Sequence, residues 1–334
     1  MTANNIADGA PPTLDNIVGQ RRAVRQLKTA IEAVFNDRAL AKNDENPSLG
    51  HILLVGPPGV GKSMLAQMIA KELGVNAYEE MAQNLWGISN IQGFLMMPDA
   101  GDVVFVDELH ELPPIVQTTL YRALEEQKLF FAAGKNGDHK VVRLPRFSFV
   151  AATTDQWSLA APLRDRFSLI IHLEHYSPEE LTQILHQRTT RCGWDIKDDT
   201  LVALGKMGMG TPRLALRLLE SARRVARAEA SEQITDEHVH KMREIDGIDL
   251  LGLDPVEQRY LFYLVRHSTP VRLNVIATQL GLPRQTLESI IEPKLIRLGL
   301  LGKDSQGRYL TPNGRQHAMS LKHNLGDKDY APET

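Results

Sequence analysis

The sequence predicts an α/β chain with appended helical parts: a doubly wound parallel-sheet domain over 1–176, a small all-α domain over 177–253 and a winged helix over 254–334. Three observations lead there. Four short apolar runs, His51 to Val55, Val103 to Val106, Phe147 to Ala152 and Leu169 to Leu173, are separated by amphipathic stretches and bounded by turn residues. Buried parallel strands read this way. After Tyr176 the apolar period becomes helical only, and from Pro255 three helices precede Leu300-Leu301 and Tyr309-Leu310, which flank a turn-rich Gly302 to Arg308.

Element by element, Val24, Leu27, Ile31 and Val34 form one apolar helix face ahead of the first strand. Val75 to Tyr78 is a fifth strand candidate. Ser177-Pro178-Glu179-Glu180 offers an N-cap serine, a proline at the first helical position and a glutamate at the third, so it opens a helix towards Cys192. Further helices fit Leu201 to Met207, Pro212 to Ala230 and Asp236 to Glu244. No internal repeat or low-complexity tract interrupts this order.

Composition narrows the functional classes. At 334 residues, with 43% apolar and 24% charged residues, the chain suits two or three globular cores. It has no apolar run of membrane-spanning length, and Met1 to Pro12 lacks the basic-then-apolar pattern of a secretory leader. A cytoplasmic protein with no membrane partner is expected. Cys192 stands alone, which excludes an internal disulfide or a cysteine-only metal cluster. The net charge is −3, yet Pro255 to Thr334 carries eleven Lys and Arg against seven Asp and Glu, leaving +4 there and −7 before it. Local charge matters more than the whole-chain sum, and the C-terminal part is the basic one.

The chemistry concentrates in the first domain. Gly56-Pro57-Pro58-Gly59-Val60-Gly61-Lys62-Ser63 follows an apolar strand and precedes a helix, matching the phosphate-binding pattern G-x-x-x-x-G-K-S/T. In that pattern glycines let backbone N–H groups close round phosphates, Lys62 reaches the β- and γ-phosphates of ATP, and the Ser63 hydroxyl is a ligand for Mg²⁺. Val103 to Val106 runs into Asp107-Glu108, which places two carboxylates at the sheet edge. Asp107 is expected to organise Mg²⁺ and Glu108 to act as general base on the attacking water. Thr153 and Thr154 end another strand, where a hydroxyl can help hold that water.

Two arginines follow in Ala161-Pro162-Leu163-Arg164-Asp165-Arg166-Phe167. A planar guanidinium suits phosphate, and one supplied by a neighbouring subunit adds roughly 10³ to 10⁵ in rate. Arg164 is taken as that finger, and one of the two arginines is expected only to form a structural ion pair. Gly210-Thr211-Pro212-Arg213 then starts a helix from which Arg213 can reach the nucleotide.

Taken in order, Thr13 to Gln20, Val106-Asp107-Glu108-Leu109-His110, Ala152-Thr153-Thr154, Pro162 to Phe167, Gly210 to Arg213 and Gly252-Leu253-Asp254 resemble the RuvB family within the AAA+ ATPases. The winged-helix stretch from Ile291 to Leu301 matches in layout. The resemblance implies that the segment holding Ile17 and Val18 lines the adenine pocket, that Thr153 and Thr154 hold sensor 1, that Arg164 is the trans finger and that Arg213 is sensor 2. It also implies a hexameric ring around duplex DNA, branch migration at four-way junctions and a RuvA-type junction-binding partner. That partner would meet a hairpin at about Leu129 to Val142. The sequence departs from the family pattern at Pro11-Pro12, Tyr78 to Ala100 and within that hairpin.

For DNA, the helix beginning at Pro283 presents Arg284 and Gln285, and the wing presents Lys303 and Arg308 to phosphate. Winged helices also bind proteins, so a clamp-loader-like or other AAA+ remodeller is a competing reading. An ATP-switched DNA-binding regulator is another, although a pure switch needs neither Glu108 nor Arg164. A two-domain helicase suggested by Asp107-Glu108-Leu109-His110 would need a second nucleotide-binding core, and the helical segment after Tyr176 supplies none.

Overall fold

The computed structural model describes residues 13–40, 47–132 and 139–324. Helix α1 (Arg21–Leu40) buries Leu27, Ile31 and Val34 along the apolar face anticipated from their spacing. Strand β1 (Ile52–Val55) is buried throughout and runs into the glycine-rich loop. Helix α2 (Lys62–Leu73) starts from Gly61 and stops at Gly74, both left-handed. Strand β2 (Ala77–Met81) begins two residues later than expected because the Val75 N–H bonds back to the Ala70 carbonyl and closes α2.

Helix α3 (Ile88–Leu95), strand β3 (Val103–Asp107) and helix α4 (Pro114–Glu126) follow. Next comes an antiparallel hairpin, β4 (Lys128–Ala132) with β5 (His139–Arg143). Its tip, including Gly134-Lys135 and Asn136 to Asp138, lies outside the described residues. Strand β6 (Ser148–Thr153), the short helix α5 (Ala161–Arg164) and strand β7 (Leu169–His172) complete this part.

The five-stranded sheet has the order β2-β3-β6-β1-β7, and every pairing is parallel. Parallel strands with helical crossovers bury both faces, which explains the near-continuous apolar runs. Phe105, Phe149, Leu53 and Leu54 lie at the centre with at most 2% of their surface exposed. Each contributes about 1.5–3 kcal/mol by leaving water. The core holds the sheet together, and the register decides which strand ends meet. Val55 pairs with Thr153 and Val106 with Ala151, so β1, β3 and β6 end side by side.

Helix α6 (Pro178–Cys192) has the capping box expected at Ser177 and Glu180. A two-residue parallel pair, β8 (Asp195–Ile196) with β9 (Gln233–Ile234), is interleaved with helices α7 (Asp198–Met207), α8 (Pro212–Ala228) and α9 (Asp236–Asp246). The chain divides into two compact units, Met1–Trp194 with Gly210–Arg217 and Asp195–Met209 with Leu218–Thr334.

The last part contains α10 (Pro255–Val265), α11 (Leu273–Leu280), α12 (Arg284–Thr286), a π-helical turn (Leu287–Ile291), α13 (Glu292–Arg297) and the wing strands β10 (Leu301–Lys303) and β11 (Arg308–Leu310). Pro293 has no N–H and its ring crowds the carbonyl four residues back, which accounts for the widened turn before it. A final helix, α14 (Pro312–Asn324), is not anticipated from the sequence. It packs against α10. Gly314 is required there, since a Cβ would come within 1.9 Å of the Leu300 carbonyl oxygen. Among the described residues no helix is long and apolar enough to cross a membrane.

Candidate nucleotide site and nucleic-acid interface

The sheet edge at the ends of β1, β3 and β6 gathers most of the residues singled out by the sequence. The loop Gly56-Pro57-Pro58-Gly59-Val60-Gly61 bends through left-handed Gly59 and Gly61, with φ of 79° and 102°. Gly56 meets the residue that follows β7 so closely that a Cβ would lie 2.7 Å from the Leu173 carbonyl oxygen. Lys62 is 6% exposed, and its ammonium donates to the Gly56 and Pro57 carbonyls at 2.9 and 3.1 Å. Burial lowers the Lys62 pKa, Arg213 adds to this, and Glu108 and Asp107 oppose it.

The Ser63 hydroxyl donates to Asp107 Oδ2 at 2.5 Å, so the two expected metal-facing groups are in contact. Asp107 Oδ1 accepts the Glu108 N–H at 2.8 Å. Glu108 is left-handed at φ 50°, ψ 49°, a conformation that a non-glycine residue holds only when its surroundings impose it. Its Oε2 is buried and accepts no hydrogen bond, while His110 Nδ1 lies 3.4 Å away.

Thr153 and Thr154 are separated by the strand end. Thr153 is fully buried, and its Oγ1 lies 3.1 Å from His110 Nδ1. It also bonds to the Asp155 carbonyl and N–H, both at 3.1 Å. Thr154 is exposed.

Arg213 comes to the same edge. Its backbone N–H points to the Gly59 carbonyl at 3.4 Å, and a Cβ on Gly59 would come within 3.1 Å of its own Cβ. Ile17 and Val18 are half-buried behind the turn Leu14–Asn16. Left-handed Gly19 and Gln20 follow them. The Gln20 side chain clamps residue 174, donating to the Glu174 carbonyl at 2.7 Å and accepting its N–H at 3.2 Å.

Arg164 and Arg166 lie in different surroundings. The Arg164 guanidinium stacks 4.9 Å from the ring centre of Trp157, which is 75% exposed. Arg166 pairs with Glu125 of α4 at 2.9 Å.

Two residues of this site do not stand out in the sequence. His110 has no partner there at metal-ligand spacing, and Tyr176 reads only as a domain boundary. The Tyr176 hydroxyl donates to the Val60 carbonyl at 3.2 Å, its N–H donates to the Gly210 carbonyl at 2.9 Å, and burial pushes its pKa up to about 12. It thus joins the phosphate loop to the turn that carries Arg213. Neither partner is near Tyr176 in sequence, so no local pattern announces the contact.

At the second site, Arg284 and Gln285 are exposed at the start of α12, and Lys303 is exposed at the end of β10. Arg308 differs from these three. Its Nε and Nη2 bond to Glu292 at 2.9 and 3.1 Å, and Nη2 also reaches Glu288 at 3.1 Å. The expectation of a freely presented arginine there is therefore revised: two carboxylates hold the guanidinium against the preceding helix.

Comparison with known proteins bears on both regions. Family models described as the Holliday junction DNA helicase RuvB P-loop domain, the RuvB AAA lid domain and the RuvB C-terminal winged helix domain match residues 10–173, 176–249 and 250–319. The Holliday junction branch migration complex subunit RuvB of Kosmotoga olearia is 34% identical over 92% of this chain and 89% of its own length. That of Neorickettsia sennetsu is 35% identical over 93% of each.

Among solved structures, a variant of Thermotoga maritima RuvB covers 95% of this chain and 99% of its own at 31% identity and a TM-score of 0.80. In four of the Thermotoga variants the residue replaced is an alanine, a threonine, an arginine or a proline, and these four are spaced as Ala152, Thr154, Arg166 and Pro212 are here. ORC2 of Aeropyrum pernix shares the fold at 16% identity and a TM-score of 0.55. The chain is a nucleotide-binding ATP hydrolase and belongs to the RuvB family of AAA+ ATPases.

Proposed function

We propose that this protein hydrolyses ATP to drive duplex DNA through a ring of its own copies, causing branch migration at four-way junctions. One observation carries the reading. The phosphate loop, Asp107, Glu108, Thr153 and Arg213 converge on one sheet edge, in a chain whose relatives named for branch migration run along more than nine-tenths of it. The division of labour follows 1–176 for hydrolysis, 177–253 for the lid and 254–334 for DNA. A cytoplasmic location and a RuvA-type partner, met by the β4–β5 hairpin, belong to the same reading.

In this assignment the loop amides and Lys62 bind the phosphates, and Tyr176 fixes the loop carbonyl at Val60. Ile17 and Val18 line the adenine side. Ser63 and Asp107, already in contact, fit a Mg²⁺ ion. A Mg²⁺ ion held through so few side chains completes its shell with substrate phosphate and water. When bound, the ion would neutralise charge on the transferring phosphoryl group. Glu108 takes the proton of the attacking water, with exposed Thr154 helping to hold that water and buried Thr153, bonded to Asp155, fixing the strand end.

For the trans guanidinium we put Arg166 ahead of Arg164, which the sequence alone favours. The Arg166–Glu125 pair is partly open to solvent, with 36% and 45% of the two side chains exposed, so giving it up on assembly costs at most about 1 kcal/mol. Arg284, Gln285, Lys303 and Arg308 contact DNA, with Arg308 oriented by its carboxylates.

The test is the ATPase rate with duplex, forked and four-way DNA, with and without a RuvA-type protein. Stimulation greatest on four-way DNA is expected. No stimulation by any DNA overturns the motor and favours a protein remodeller.

A further inference from the structure

We infer that His110 is a positioning residue for hydrolysis, holding the Glu108 carboxylate and tying it to the end of β6. The inference rests on Glu108 acting as general base. The imidazole lies between two chain segments more than forty residues apart in sequence. Its Nδ1 is 3.1 Å from Thr153 Oγ1 and 3.4 Å from Glu108 Oε2, and its Nε2 is 3.4 Å from Glu111 Oε1. With the proton on Nδ1 the ring N–H faces Glu108 and Thr153, and with it on Nε2 it faces Glu111, so the Nδ1–H tautomer is the one that holds Glu108.

Glu108 needs such a neighbour. Its backbone is strained and its Oε2 is buried without a hydrogen bond, so its own strand end does not fix the carboxylate. Thr153 is stapled to Asp155 through both of that residue's backbone groups, which makes it a rigid support for the ring. A base held loosely samples non-productive rotamers, and turnover falls while nucleotide affinity stays unchanged.

The test compares His110→Ala and His110→Asn in the full-length protein, each in the parent and in the Glu108→Gln background. ATP affinity is measured by equilibrium binding and hydrolysis by steady-state and single-turnover rates. In the parent background His110→Ala should lower kcat about tenfold with ATP affinity within about twofold, the loss expected of a base no longer held in its productive rotamer. Asparagine, whose amide reaches the Nδ1 position, should restore most of the rate. In the Glu108→Gln background His110→Ala should cost nothing further. An equal loss in both backgrounds, a loss of affinity in place of turnover, or no loss at all overturns the inference. A Glu108→Gln protein hydrolysing ATP at the parent rate instead removes Glu108 as the base, and that outcome is distinct from the others.

Discussion

Replacing Arg308 by methionine separates the wing's architecture from its charge. Glu292, with 2% of its side chain exposed, accepts two hydrogen bonds from Arg308 and one from the Tyr260 hydroxyl at 2.9 Å. Arg308→Met leaves that carboxylate buried with tyrosine alone. Removing one partner of a buried ion pair costs about 3–5 kcal/mol, which corresponds to roughly 10² to 10⁴-fold in local opening. Every tryptophan lies at or before Trp194, so indole fluorescence does not see this part of the chain. Amide hydrogen exchange does, at the mutual Val271–Arg308 backbone bonds of 2.8 Å and along α10. The double variant Arg308→Met with Glu292→Gln removes both charges and keeps an acceptor for Tyr260, so it should recover most of the protection. A change below about 1 kcal/mol in the single variant would refute the structural role of the pair. Loss of DNA affinity in the well-protected double variant would then report on the guanidinium itself.

Other outcomes follow from the same geometry. Glu108→Gln should bind ATP normally and hydrolyse it about 10² to 10⁴-fold more slowly, read by equilibrium binding beside single-turnover rates. In assemblies mixed with Glu108→Gln subunits, whose own arginines are intact, Arg166→Ala should regain activity and Arg164→Ala should change little; the reverse pattern returns the trans role to Arg164. Lys303→Ala should weaken DNA binding evenly across sequences and reduce the salt slope by about 1, measured by titration at several salt concentrations. Burial raises the Glu257 pKa, and the Lys294 ammonium only partly offsets it. A raised carboxyl holds its proton more tightly when folded, so its stabilising contribution is full below the ordinary carboxylate range. That contribution declines as pH rises through the raised value. Glu257→Gln should flatten this decline in urea unfolding followed by tyrosine fluorescence.

The sequence reveals whatever its local pattern forces. The Ile52–Val55 strand, the Gly56 to Ser63 loop and the Val103–Asp107 strand are each read from neighbours in the chain, and the Ser177 capping box from four consecutive residues. The strand after α2 reads two residues early because Val75 looks like a strand residue and serves as a helix closure. Helix α14 is hidden because Gly314 argues against a helix unless one knows that Leu300 lies against it. His110 and Tyr176 are hidden for a related reason. Each has an ordinary sequence environment, and each gains its meaning from a partner 43 or 116 positions away. Arg308 shows the opposite error: a basic wing residue suggests free phosphate contact, and burial beside Glu292 gives it a second obligation.

The segment leaving β6 is short and tightly stapled. Thr153 bonds to Asp155, the Asp155 carboxylate accepts the Trp157 N–H at 2.9 Å, Ser158 returns to the Asp155 carbonyl at 2.9 Å, and Arg164 lies on the Trp157 ring. A slack tether would absorb a small displacement of the strand end. Here the internal bonds leave little slack before α5 begins. The end of β6 and the two arginines are therefore joined by one continuous bonded stretch rather than by a free loop.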